Sequence, residues 1–255
     1  MNYEEIVKDS RKKVLELVWK AQTSHIGSLF SCADIMAVLF EKMDLEKDKF
    51  VLSAGWKACM LYYHLWRKGR ITEEELNSYC QEGSRFIGLA EPIHKDIPFA
   101  GGSMCMGLAA GVGFALAKKL KGEEGKVYVL ESDGGMQGGI TWEAIAIASQ
   151  HNLDNLVLLV DDNEFQAMGK TNDILDQRNL PERIRAFGWF DVQVVDGHDY
   201  ESIETAIIFQ ADRPLCIIFD TIKGKGVSFM ERNNLYHYKA PSEEEYKKAL
   251  QELNV

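Results

Sequence analysis

From residue 126 to residue 220 the chain repeats one pattern: a short unbroken run of Val, Leu and Ile, then a longer amphipathic stretch, then another run. The apolar runs cover residues 126–131, 155–161, 192–195 and 215–220. Runs this short read as strands, and their lack of polar alternation predicts burial on both faces. Residues 140–151, 181–187 and 201–210 read as the helices between them. Strands of this kind joined by helices build a parallel sheet covered on two sides. The pattern therefore predicts an α/β fold, a parallel sheet flanked by helices on both faces.

The first half of the chain fits the same plan with more helix. Helices are predicted over 3–20, 31–43, 56–68 and 72–80, with a turn-like stretch at 24–28 and a short strand at 49–53. The helix over 72–80 opens on Thr-Glu-Glu-Glu, a hydroxyl cap followed by acids at the positive end of the helix dipole. Residues 83–107 are glycine-rich and irregular. A small-residue helix follows over 104–120. Its interior glycines cost about 1 kcal/mol each relative to Ala, which predicts close approach of another backbone or a ligand. A charged helix over 242–253 closes the chain. There is no internal repeat or linker, so residues 1–255 read as a single domain.

The chain has 255 residues, 46% of them hydrophobic. That length buries roughly 70–75% of the unfolded surface, enough for a core without staples. The net charge of −10, from 29 basic and 39 acidic residues, argues against nucleic acid or an anionic membrane as a main partner. It leaves room for a phosphorylated ligand held by helix N-termini and magnesium. The five cysteines are odd in number and form no CxxC, which reads as free thiols in a reducing compartment. The N-terminus lacks the apolar core of a secretory signal, and no apolar run is long enough to span a bilayer. A cytoplasmic location is expected.

In an open parallel sheet, ligands bind beyond the carboxyl ends of the strands. Three predicted strand ends carry polar clusters: Ser132-Asp133-Gly134-Gly135, Asp161-Asp162-Asn163 and Lys223-Gly224-Lys225-Gly226. Asp133 and Asn163 are one strand–helix unit apart, so both emerge at one sheet edge. A carboxylate and an amide oxygen converging there are hard donors of the kind magnesium takes, and magnesium keeps positions open for phosphate oxygens. Gly134 and Gly135 let a diphosphate approach the backbone at the next helix N-terminus. On the residues alone a second account stands beside this one: Asp133 caps that helix and Asn163 occupies a turn.

Taken in order along the chain, these clusters resemble the thiamine diphosphate-binding, N-terminal half of transketolases. Ser24-His25-Ile26-Gly27-Ser28 is similar to the family's Ser-Gly-His-Pro-Gly block. Phe50-Val51-Leu52-Ser53-Ala54-Gly55 is similar to Phe-Val-Leu-Ser-x-Gly-His. Gly102-Ser103-Met104-Cys105-Met106-Gly107-Leu108 resembles Gly-Ser-Leu-Gly-Gln-Gly-Leu. Asp133-Gly134, Trp142-Glu143-Ala144 and Asp162-Asn163 resemble the diphosphate motif. Asp196-Gly197-His198-Asp199, Thr221-Ile222-Lys223-Gly224-Lys225-Gly226 and His237-Tyr238-Lys239-Ala240-Pro241 complete the series.

The resemblance implies a thiamine diphosphate-binding fold and two cofactors, thiamine diphosphate and Mg2+. Asp133, Asn163 and the backbone carbonyl of Phe165 would ligate the metal. Gly134 and Gly135 would lie against the diphosphate. Met104, Trp56, Glu143 and Asn163 are further cofactor-side positions. His25 and His237 would line the cleft as catalytic residues, because a neutral imidazole can trade protons with a sugar hydroxyl near pH 7. The resemblance further implies transfer of a two-carbon ketol unit from a ketose or ketose phosphate to an aldehyde. In the family a Glu on a second, pyrimidine-binding domain promotes ylide formation on the cofactor. This chain ends at Val255 after one sheet. It is therefore expected to be one half of a split enzyme, needing a separate C-terminal transketolase-like subunit with that domain, in an α2β2 assembly.

The departures from the motifs carry their own expectations. Trp56 replaces a His. Glu91-Pro92 stands for a His-Pro step. Cys105 and Met106 replace Gly and Gln, Ser132 replaces a Gly, and Gly138 replaces a Glu, while Glu143 is kept. An apolar ring and an acid in place of imidazoles motivate a second reading, a related carboligase or 2-oxoacid decarboxylating enzyme with an altered donor. A third is a catalytically degenerate binding subunit. No GxGxxG or GxxxxGKS/T follows a predicted strand, which sets a generic nucleotide-binding domain aside.

Overall fold

The computed structural model describes residues 2–177, 179–189 and 191–254. Its helices are α1 (Tyr3–Ala21), α2 (Ile26–Ser31), α3 (Ala33–Lys42), α4 (Ala58–Arg67), α5 (Glu73–Asn77), α6 (Gly107–Lys121), α7 (Gly139–Gln150), α8 (Thr171–Ile174), α9 (Leu180–Ala186), α10 (Tyr200–Ile208) and α11 (Glu243–Glu252). Its strands are β1 (Lys49–Leu52), β2 (Val127–Ser132), β3 (Leu156–Asp162), β4 (Phe165–Gln166), β5 (Gly169–Lys170), β6 (Asp191–Asp196) and β7 (Leu215–Asp220). Five strands form one sheet in the order β1-β2-β3-β7-β6, and every neighbouring pair is parallel. The chain passes from β1 through β2 to β3, jumps to the far edge at β6, and returns to β7. The carboxyl ends of β1, β2, β3 and β7 thus stand side by side.

Successive side chains on a strand point to opposite faces, so each strand feeds two cores. Leu52, Leu130, Val157, Leu159, Ile217 and Phe219 pack with residues of α1, α3, α4 and α10 on one face. Val51, Val129, Leu158, Val160, Cys216 and Ile218 pack with residues of α6, α7 and α9 on the other. The unbroken apolar runs are the sequence trace of this double burial. The edge strand β6 differs: it is only partly covered, and Val194 is exposed. Among the described residues no helix is long and apolar enough to cross a membrane.

Several boundaries differ from the sequence expectation for local reasons. The expected turn at 24–28 becomes helix from Ile26, because His25 takes a left-handed conformation and its N–H bonds to the His237 carbonyl at 2.8 Å. The expected helix over 31–43 is α3, which starts at Ala33 because Cys32 separates it from α2. The helix expected from Met104 starts at Gly107, since Cys105 is also left-handed. Residues 165–174, to which the sequence pattern assigns no element, hold the β4–β5 hairpin and α8.

The glycines of α6 are not equivalent. A Cβ on Gly107 would lie 2.3 Å from the Ser53 Cβ, and one on Gly111 would lie 2.3 Å from a Val129 methyl. Both admit close contact with the sheet. Gly113 is exposed with nothing within 4 Å of its missing Cβ. Gly113→Ala is therefore expected to stabilise the chain by about 0.5–1 kcal/mol. Gly111→Ala is expected to cost about 1–3 kcal/mol by overpacking. Urea unfolding of the two variants measures both, and shifts of the same sign would refute the assignment.

Candidate active site

A cavity of about 430 Å3 opens at the carboxyl edge of the sheet, the place where α/β sheets bind ligands. Its deep end is polar: Ser28, Lys57, Ser132, Gly134 and Asn163 line it and are buried. Its mouth is apolar, formed by Trp56, Leu89, Met104, Met168 and Tyr238. Met168 and Tyr238 are 75% and 66% exposed, which places them at the rim.

Asp161, at the end of β3, organises the deep end. Its Oδ2 accepts from the Lys57 ammonium and from the Ser31 hydroxyl, each at 2.6 Å, and its Oδ1 accepts from the Thr221 hydroxyl. Both members of the Lys57–Asp161 pair are fully enclosed. Burial alone would neutralise the two groups, but each holds its partner ionised: the Asp161 carboxyl is lowered and the Lys57 ammonium raised. The Asn163 Nδ2 donates to Ser31 at 3.2 Å and to Asp161 at 3.3 Å. These bonds fix which way the amide points and leave its Oδ1 to the Phe165 N–H at 3.2 Å.

Asp133, just past β2, is left with a charge problem. Its Oδ2 accepts from the Thr171 hydroxyl, while its Oδ1 is buried without a hydrogen-bond partner. Burial pushes this carboxyl up to about 7, and the Asp162 and Asp161 charges add to the shift. A buried carboxylate oxygen without a donor is costly and is relieved by a cation. Among the described residues no group of three or more His, Cys, Asp or Glu is placed to hold a metal. A lone carboxylate of this kind suits a small hard cation only with further oxygen donors, such as amide or carbonyl groups.

Two imidazoles face the cavity. The His25 and His237 rings meet edge to face with centroids 5.0 Å apart. Burial and the Lys223 charge hold His25 down at about 4 and His237 at about 3, so both are neutral at pH 7. The Lys223 Nζ lies 3.0 Å from the His237 Nδ1 and 3.1 Å from the Asn234 Oδ1. An ammonium only donates, which assigns the His237 proton to Nε2. Burial lowers Lys223 itself to about 8, so it stays largely charged at neutral pH. A side chain on Gly27 would press on Lys223, with its Cβ 3.1 Å from the Lys223 Cγ. The loop carrying Lys223 is tied down by His198, whose Nε2 accepts from the Ile222 N–H and whose Nδ1 meets Asp34, each at 2.9 Å.

Residues 3–254 match the family described as transketolase, thiamine diphosphate binding domain. The chain belongs to the transketolase family. It is 33% identical to one subunit of the apulose-4-phosphate transketolase of Phocaeicola vulgatus, over 96% of this chain and 91% of that protein. It is 34% identical to the 6-deoxy-6-sulfo-D-fructose transketolase subunit SqwG of a Clostridium species, over 95% of this chain and 93% of that protein. Among solved structures it superposes on the transketolase of Campylobacter jejuni with a TM-score of 0.89 at 29% identity. That match takes in all of this chain and 43% of the longer one, so the chain spans about two fifths of that transketolase. It is an enzyme subunit of the transferase class to which these relatives belong, and it carries the family's thiamine diphosphate-binding domain.

In this transketolase-family chain, His25, Trp56, Met104, Gly134, Asn163, Phe165 and His237 line one cavity. Asp133 lines a smaller neighbouring cavity of about 190 Å3 with Asp162 and Thr171. Two expected positions lie elsewhere. The space left by Gly135 is taken by Glu131, whose Oε1 would be 1.9 Å from an added Cβ. Gly135 therefore serves a buried acid that accepts from Ser53 and from the Ser132 N–H. Glu143 is exposed on α7 and does not reach the cavity wall. Sequence reasoning missed Lys57, Ser31, Asp161 and Lys223. Lys223 was signalled by its strand-end cluster, and Lys57 by being a lone charge in an apolar stretch. Lys223→Met is expected to let the His237 imidazole titrate higher, since a positive neighbour is removed, while burial still keeps it below 6.5. An NMR titration of the ring reads this; an unmoved midpoint would assign the whole depression to burial.

Proposed function

We propose that this chain is the diphosphate-side half of a thiamine diphosphate- and Mg2+-dependent transketolase-like enzyme. It would move a two-carbon ketol unit from a ketose, or ketose phosphate, to an aldehyde. The observation that carries the reading is the orphaned, buried Asp133 Oδ1, which follows β2 at the same sheet edge where Asn163, its amide oriented by Asp161, follows β3. Asp133, Asn163 and the Phe165 carbonyl would hold Mg2+, a donor set suited to that ion. Gly134 would face the diphosphate, with Met104 and Trp56 toward the rest of the cofactor. Thiamine diphosphate, when bound, supplies the nucleophilic carbon and the electron sink for breaking a carbon–carbon bond beside a carbonyl.

The chain's own residues would handle the protons. Neutral His237, its Nδ1 engaged by Lys223, offers an Nε2–H to a substrate oxygen. His25 stands against it, with Nδ1 2.8 Å from the Ser24 hydroxyl. A neutral pair of this kind can give and take a hydroxyl proton without a net charge change in the cavity. Relatives of matching length bear the names of transketolase subunits, which supports a separate C-terminal transketolase-like partner. That partner would bring the pyrimidine domain and close the cavity mouth. An α2β2 assembly follows if two such pairs associate. Glu143, exposed on α7, would then act across the contact between subunits. The five free cysteines suit a reducing compartment, and so a cytoplasmic enzyme.

The apolar mouth supports a second reading, a related carboligase or 2-oxoacid decarboxylating enzyme. Trp56 lies 6.4 Å from His25, ring to ring, where a polar group would suit a polyol better. Calorimetric titration of the full chain with thiamine diphosphate and Mg2+ is expected to show metal-dependent binding that Asp133→Ala abolishes. Unchanged affinity in that variant would refute the metal assignment. No binding by the unsubstituted chain, with or without its partner, would leave a degenerate subunit. Donor screening with the reconstituted pair is expected to find a ketose donor; turnover of 2-oxoacids alone would favour the second reading.

A further inference from the structure

Lys57 has no place in the motifs that relate this chain to its family, yet it is a fully buried cation of the site. Its side chain is 0% exposed, and it stands in the wall of the cavity's deep end beside Ser28, Ser132, Gly134 and Asn163. An ammonium carries three donors. Among the described residues, the acceptor of the Lys57 Nζ is the Asp161 Oδ2 at 2.6 Å. Two N–H groups are thus enclosed without a partner from those residues, at a position bulk water does not reach. Asp161 satisfies the ammonium once, and an acceptor in the cavity would engage the remaining donors.

The chemistry of that occupant follows from charge. Asp161 is already shared among Lys57, Ser31, Thr221 and the Asn163 amide, so it does not exhaust the cation. Ser132, Gly134 and Asn163 bring a hydroxyl, a bare backbone and an oriented amide to the same end, which suits phosphoryl oxygens more than a neutral group. A diphosphate brings more negative charge than one divalent ion offsets, and Asp133 and Asp162 add acid at the same edge. A fixed ammonium restores the balance without a second metal.

We propose that Lys57 is a diphosphate-binding residue, its ammonium anchored by Asp161 and donating to a phosphoryl oxygen of the bound cofactor. This rests on the thiamine diphosphate reading above. The ion pair is then a positioning device: Asp161 keeps the ammonium charged and aimed, and the anion uses the remaining donors.

The test measures binding by the full chain with Mg2+ present, using inorganic pyrophosphate, thiamine diphosphate and unphosphorylated thiamine. The readouts are calorimetry and tryptophan fluorescence, with Trp56 at the cavity wall as reporter. Lys57→Met is expected to weaken pyrophosphate and thiamine diphosphate about 10- to 100-fold, the worth of a charge-assisted bond, and to leave thiamine unchanged. That variant also strands Asp161 as a buried carboxylate, so its fold is at risk. The double variant Lys57→Met/Asp161→Asn removes the whole pair and is expected to stay folded by circular dichroism with the same loss of phosphate affinity. A folded double variant that binds pyrophosphate as tightly as the unsubstituted chain would overturn the proposal and leave Lys57 as a counter-ion only. Equal weakening of thiamine and its diphosphate would overturn it too, by showing general damage to the cavity. If the unsubstituted chain binds neither phosphate ligand, it is the cofactor reading that fails.

Discussion

The Lys57–Asp161 pair has no solvent exposure on either side chain, and four segments of the chain converge on it. Ser31 comes from the end of α2, Lys57 from the turn after β1, Thr221 from the end of β7, and Asp161 from the end of β3. A buried pair of this kind is not free stability: desolvation takes back much of the Coulombic gain. Its weight lies in what happens when it is incomplete. Removing one partner from such a pair costs about 3–5 kcal/mol, because the other charge is left unpaired in a dry interior. The carboxyl ends of two central strands and two N-terminal segments are thereby held to one arrangement, and the cavity is the space this arrangement leaves.

Two buried groups at this sheet edge, in neighbouring cavities, are incompletely paired in opposite senses. Asp133 presents a buried oxygen with no donor, and Lys57 presents enclosed donors with one acceptor. The Asp133 oxygen is stranded away from water at a cost, while the Lys57 ammonium is held by its carboxylate partner. In the proposed function the two would face the parts of one ligand, an anion with its own cation. The imidazoles above this level are different. His25 and His237 are kept neutral by burial and by Lys223, so they carry no charge at pH 7. The mouth, with Met168 and Tyr238 exposed, is an apolar rim of the kind a second chain covers.

The unbroken apolar runs at β2, β3 and β7 made the parallel sheet legible, because two-faced burial leaves no polar alternation. The strand-end clusters likewise placed Asp133 and Asn163 at one edge. What the sequence concealed was side-chain direction. Gly134 and Gly135 are neighbours in one motif, yet only Gly134 lines the cavity, while Gly135 makes room for Glu131. Glu143 keeps its place in the motif and faces outward from α7. Lys57 and Asp161 lie 104 residues apart in the chain, and neither spacing nor periodicity marks them as partners.

The sequence by itself determined the layered α/β architecture, the edge at which the strand-end polar clusters gather, and the family, since each rests on local periodicity or on ordered motifs. The tertiary structure decided which members of those motifs face the cavity, and that His25 and His237 are neutral. It also decided that the Asp133 Oδ1 is buried without a partner and that the Lys57 ammonium is enclosed against Asp161. Those properties come from burial and from contacts across the sheet, and desolvation is set by how the segments pack, not by the order in which they are written.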